Sequence, residues 1–190
     1  SVTPLTTVIS SASTPEEQAK VLTALGITGT VDDLLTTDTW ALAEAGDATA
    51  KELQRKNQQV GLILQTAESL VGDDAASSAT ALTEAVAAQI VEIATTNDTV
   101  DLTSTATVTE VLSDSVAAVD TTSTVDAAAI AAVADSVADV NTLVADPTID
   151  PTGDAAKEIA EAAQTDLISS VASLAAGTTD TTEFTAATDT

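Results

Sequence analysis

A chain of 190 residues with 30 acidic and 5 basic side chains carries a formal charge of −25, and 44% of it is hydrophobic. Such a surface repels phosphate backbones and anionic membranes, and no basic face interleaved with aromatics is present to read a nucleic acid. The absence of Cys, His and Tyr excludes disulfides, thiolate chemistry and imidazole catalysis together.

The length allows one domain or two small ones. The apolar mass is Ala, Val, Leu and Ile, and Trp40 and Phe184 are the only aromatics. Small side chains let helices approach to the short end of the roughly 8–10 Å interaxial range, yet each buries little area. The expectation is therefore an extended helical assembly of many weak contacts, not one deep core. High negative charge favours divalent counter-ions and screening by salt.

Thr3-Pro4 opens a short helix over Leu5 to Ile9, with proline at the first position. Thr14-Pro15-Glu16-Glu17 starts a second, with Thr14 as cap and Glu17 reaching back as in a capping box. Val21, Leu22 and Leu25 form its apolar stripe, and Gly26 stops it. A helical turn follows around Val31 to Leu35, where Asp32 and Asp33 are first-turn acids. Asp38 caps a brief helix through Trp40 and Leu42 that ends at Gly46.

The longest pattern runs from Ala48 to Val71, with Leu53, Val60, Ile63, Leu64, Ala67 and Val71 on one face. Lys51, Arg55 and Lys56 fall on its polar side, and Gly61 marks a close helix crossing. Gly72-Asp73-Asp74 reads as a turn before a helix that ends near Thr95. After a polar link from Thr96 to Leu102, Thr103 is the expected cap of a helix through Val119. Propensity alone would also allow Thr103 to Thr109 as a strand. Ala127 to Ala145 and Ala155 to Ala175 complete the helices, with the Pro- and Gly-containing loop Asp146 to Asp154 between them. Residues 1–176 thus read as an all-α, Ala-rich bundle of six to eight helices packed antiparallel. Residues 177–190 lack periodicity and read as a linker or flexible tail.

No uninterrupted apolar stretch approaches the roughly 20 residues of a membrane span. SVTPLTT has neither a charged n-region nor an apolar h-region. The chain is therefore expected to be internal to a longer protein, or to have its export signal elsewhere.

Little in the sequence points to catalysis. A retaining glycosidase needs two carboxylates roughly 5–5.5 Å apart in a sugar cleft, and aromatics to line such a cleft are nearly absent. No GxSxG, SxxK or glycine-rich phosphate loop occurs. The expectation is a non-enzyme without a cofactor. Asp146, Asp150 and Asp154 place three carboxylates in a constrained loop, and oxygen ligands suit calcium, but the spacing is not that of an EF-hand. The favoured reading is a proline-stiffened interhelix loop whose last Asp caps the final helix. Asp73 and Asp74 pose the same choice, with capping again favoured. Trp40 is read as a core anchor before it is read as a sugar-stacking platform. The Lys51, Arg55, Lys56 cluster is read as a solvated face before a docking patch. Asn97-Asp98-Thr99 fits the N-glycosylation acceptor pattern.

The stretches VTPLTTVIS, LGITGTVDDLLTTDTW and AEAGDATAKELQRKNQQVGLILQTAESLVGDD, followed by VDLTSTATVTEVL and AAIAAVADSVADVNTLV, carry a resemblance. They are similar to an Ala-rich helical module of very large secreted bacterial proteins with RTX-type calcium-binding, cadherin-like or other immunoglobulin-like repeats. LLTTDTW lacks the proline of that family's pattern. The resemblance implies a structural or adhesion module at a cell surface, contacting neighbouring domains of its own chain, copies of itself or a cell-surface ligand. Two alternatives accompany it: a self-assembling subunit of an extracellular filament, sheath or surface layer, and a helical ligand- or peptide-binding domain with a groove around Trp40.

Overall fold

The computed structural model describes residues 3–71, 79–120 and 125–188. These form ten helices and no strand, so the segment from Thr105 that propensity would allow as β is helical. The all-α expectation holds, with more helices than six to eight. The expected turn at Gly72-Asp73-Asp74 and the turn residues 121–124 lie outside the described residues.

The helices are α1 Pro4–Ser11, α2 Pro15–Ala24, α3 Val31–Thr36, α4 Thr39–Glu44, α5 Ala48–Val71, α6 Ala79–Thr96, α7 Thr105–Val119 and α8 Ala127–Ala145. The ninth, α9, is continuous from Asp154–Ala162 through a π turn, Ala163–Leu167, into Ile168–Ala175. Helix α10 is Thr181–Thr188.

Most boundaries follow from side-chain capping. Thr3 and Thr30 form capping boxes with Thr6 and Asp33. Asp38, Asp47 and Asp126 accept from the N–H groups of Ala41, Ala50 and Ala129. Thr14 accepts from Glu17 N–H, but the Glu17 carboxylate reaches one residue further back than expected, to Ser13 N–H at 2.9 Å. Gly26 and Gly46 end α2 and α4 at positive φ (74° and 93°). Each closes the paired 6→1 and 5→2 bonds of a Schellman motif, which only glycine enters without Cβ strain. Thr103 is not the cap: its N–H and hydroxyl bind Asp101 Oδ1, and Ser104, one residue later, holds the cap position of α7.

Helix α5 organises the packing. Its 24 residues span about 36 Å, and α1, α4, α6, α7, α8 and the C-terminal part of α9 all lie against it. Val60, Ile63 and Ala67 are completely buried on it, facing a cluster that runs from Leu5 to Phe184. One contiguous core therefore replaces the extended assembly expected from small side chains. Val108, Val111 and Leu112 of α7 and Val133, Ala134 and Val137 of α8 are also fully buried in it. Gly61 faces α1, where a Cβ would meet Pro4 Cγ at 3.6 Å, an ordinary contact.

The C-terminal segment differs from expectation. Residues 181–188 are helical, and Phe184 is completely buried among core residues. Asp180 accepts from Glu183 N–H at 2.9 Å, while the Glu183 carboxylate accepts from Asp180 N–H at 3.3 Å. The Asp-Thr-Thr-Glu spacing of a capping box was the available signal. It was masked by the missing apolar period, because this helix buries one side chain only.

Candidate functional site

The loop between α8 and α9 carries the carboxylates singled out by the sequence. Within it the motif Asp-Pro-Thr occurs twice, at 146–148 and 150–152. Each Asp folds its own turn. Asp146 Oδ1 accepts from the N–H and hydroxyl of Thr148 at 2.8 and 2.7 Å. Asp150 Oδ1 accepts from the same groups of Thr152 at 3.1 and 2.9 Å. Asp101 and Thr103 repeat this arrangement before α7. These are Asx-type turns, in which a short acceptor replaces a missing backbone partner.

The second Asp150 oxygen accepts from Lys51 Nζ of α5 at 2.6 Å. That contact and the Thr152 bonds hold the Asp150 carboxyl down, at about 2. Asp146 and Asp101 are likewise lowered, chiefly by the hydroxyls of Thr148 and Thr103. Asp154 does not cap α9 as expected. Gly153 holds the cap position, and Asp154 is a first-turn acid 3.4 Å from Lys157. The reason is local: Gly153 N–H closes back on Asp150 O at 2.9 Å, and the backbone there passes so close that a Cβ would sit 3.3 Å from Asp150. Among the described residues no three carboxylates converge in a way that could hold a metal ion, so Asp146, Asp150 and Asp154 are not brought together.

The partner of this loop is the polar segment of α5, and here the structure corrects the reading of Arg55. It is 7% exposed, not solvated. Its Nη2 donates to the carbonyls of Ile149 at 3.0 Å and Pro147 at 3.4 Å, and its Nη1 pairs with Glu52 at 3.2 Å. Gln58 Nε2 donates to Pro151 O at 3.0 Å. One turn away, the completely buried Gln59 donates to Asn141 O of α8 at 2.9 Å, and Asn141 Nδ2 donates to Leu102 O at 2.8 Å.

The same segment holds the N-terminal half. Gln54 Nε2 donates to Thr39 Oγ1 of α4 at 2.9 Å, and Asn57 Oδ1 accepts from Leu5 N–H of α1 at 3.2 Å. Six residues between Lys51 and Gln59 thus fasten α1, α4, α8 and the α8–α9 loop to one helix. The cost is visible at its centre: Arg55 Nε, Gln59 Oε1 and Asn141 Oδ1 are buried without a hydrogen-bond partner, each at a penalty of about 1–3 kcal/mol. Such groups resist any shift of register, because sliding would orphan further atoms.

Trp40 is not the core anchor expected. It is 43% exposed and Leu42 is 42% exposed. The six-residue α4 buries one side chain, Ala43, against the rest of the fold, which leaves its larger apolar groups outside. Asn97 and Thr99 are exposed.

A feature that sequence reasoning missed lies on the far side of the same helical hairpin. A groove of about 820 Å³ opens between α8 and α9 and extends to the end of α10. Its apolar surface comes from Val140, Leu143, Ile159 and Leu167, and its edge from Asp139, Glu158 and Asp166. Helix α8 is long and apolar enough, by length and composition alone, to cross a membrane, yet only 39% of its most apolar stretch is buried. The excess of apolar residues over core positions on α8 was the sequence signal for this groove.

Compared with known proteins, the chain matches no family model, no curated protein and no solved structure.

Proposed function

We propose that this chain is a non-enzymatic structural or adhesion module of a large extracellular bacterial surface protein. The observation that supports this reading best is the use made of its charged and amide side chains. Lys51, Gln54, Arg55, Gln58 and Gln59 of α5, and the Asp150 carboxylate, are consumed in joining elements. Side chains tied into such contacts are poor acids, bases or nucleophiles, and good struts. The sequence resemblance to helical modules of giant secreted proteins supplies the cellular context of the proposal.

The experiment is surface localisation in the native bacterium. Antibodies raised against the folded chain label intact cells, and an in-frame deletion of the module lowers attachment of the cells to their substratum. Labelling confined to lysed cells would overturn the reading.

A further inference from the structure

We infer that the α8–α9 groove is a docking site for a cationic amphipathic α-helix of another polypeptide. The inference goes beyond the structural role and stands whether or not the chain is displayed on a surface. Three observations carry it.

First, the groove exposes apolar residues that lie outside the core, Leu143, Ala155, Ile159 and Ala162, beside Ala163 and Leu167, which belong to it. Leu143 is 51% exposed, the most exposed of the large hydrophobic residues. The first part of α9, Asp154–Ala162, buries Ala156 alone, so that Ala155, Ile159 and Ala162 line the open side. An apolar groove between two helices receives a third helix through anchors spaced i, i+3 or i+4, and i+7.

Second, α9 is deformed at this place. The π turn Ala163–Leu167 buries Ala163 and Leu167 and presents Asp166 to the groove. Single π turns inside α-helices frequently mark functional sites.

Third, charge selects the occupant. Asp139, Glu158 and Asp166 stand at the edge, and no basic residue lines the groove. The ion pairs among the described residues use Asp150, Glu52 and Asp154 instead. A second copy of the chain is poorly suited to supply the matching cations, with only Lys20 and Lys56 outside the ion pairs among the described residues. Of five basic residues, Lys51, Arg55 and Lys157 are already paired, and the copy brings a net charge of −25. A helix with leucines on one side and flanking lysines or arginines complements both the floor and the edge.

The test uses the intact protein and two synthetic peptides of one composition: a Leu/Lys helix with amphipathic order, and a scrambled version. Binding is measured by calorimetry at 0.15 M salt. The amphipathic helix is expected to bind about tenfold or more tightly than the scramble, a difference typical of properly seated anchors. Leu143→Glu and, on the opposite wall, Ala155→Glu each add a negative charge, yet each is expected to lose about tenfold in affinity. Both positions are exposed, so circular dichroism should report an unchanged fold, and either variant alone suffices. Asp139→Asn, Glu158→Gln and Asp166→Asn combined are expected to weaken binding and flatten its salt dependence. Equal binding of the two peptides, or unchanged or tighter binding by the glutamate variants, would reduce the effect to unspecific attraction and overturn the proposal.

Discussion

The two ends of the α8–α9 hairpin are held to the molecule by opposite means. The loop at 146–153 is fastened by polar contacts: a lysine on a carboxylate, a buried arginine on two carbonyls, and a glutamine on a third. The C-terminal end, with α10, is held mainly by apolar burial around the anchor Phe184, with one hydroxyl contact from Ser136 to Thr188 at 3.1 Å. Directional bonds fix the loop to one register but respond to pH and salt, whereas a nondirectional anchor responds mainly to the loss of volume. A protein with small core side chains uses both.

Cutting the apolar anchor gives the largest effect. Phe184→Ala is expected to cost about 3–5 kcal/mol if α10 unfolds cooperatively with the rest. Thermal melts give the total, and amide exchange over Thr181 to Thr188 shows whether α10 frays first. A cost below about 1 kcal/mol, with exchange confined to α10, would mean that this helix is a separate, weakly docked unit.

Removing the polar fastener should cost less. Arg55→Met keeps the aliphatic stem but deprives two carbonyls of their donor, for an expected loss of about 2 kcal/mol. Chemical denaturation measures it. Amide exchange should rise in residues 146–153 and remain unchanged in α10.

Acid should separate the two regions without mutation. The Asp150 carboxyl lies at about 2 in the folded state, below its ordinary value of 3.8. A depressed folded value contributes stability that is present above 3.8 and is lost as pH falls toward 2. Exchange in the loop should therefore accelerate across that window ahead of α10. A Lys51→Met variant, lacking the ion pair, should begin to loosen nearer the ordinary value.

The smallest change is expected at Gly61. A Cβ there has room against Pro4 Cγ at 3.6 Å, and alanine is the better helix former. Gly61→Ala should stabilise by up to about 1 kcal/mol. Destabilisation would mean that α1 and α5 are packed more tightly than their geometry indicates.

Helix positions were legible in the sequence wherever local chemistry decides them. Thr3, Thr14, Asp38 and Asp47 announce starts, Gly26 and Gly46 announce stops, and the stripe of α5 announces its buried face. Tertiary use of side chains was much less legible. Arg55 looks like a member of a solvated face, and only the loop folding over it shows that it is buried. The π turn left a faint trace. Ile159, Ala163, Leu167 and Val171 are spaced by four throughout, and each such step drifts about 40° around a straight helix of 3.6 residues per turn. The wider π turn absorbs part of that drift. Trp40 misled for the opposite reason, because composition says that a lone Trp should be buried and the shortness of α4 prevents it. For Asp146 and Asp150, the recurring Asp-x-Thr pattern at 101, 146 and 150 was the readable clue to turns.

The central claim is that the Asp150 carboxylate fastens the α8–α9 loop to α5 through Lys51. Thermal melts of the native chain and of Asp150→Asn, each in EDTA and in millimolar calcium at fixed ionic strength, test it most directly. The account predicts that calcium shifts both midpoints equally, as a general counter-ion for a surface of this charge, while the variant is the less stable in either buffer. A calcium-specific stabilisation of the native chain that Asp150→Asn abolishes would contradict it.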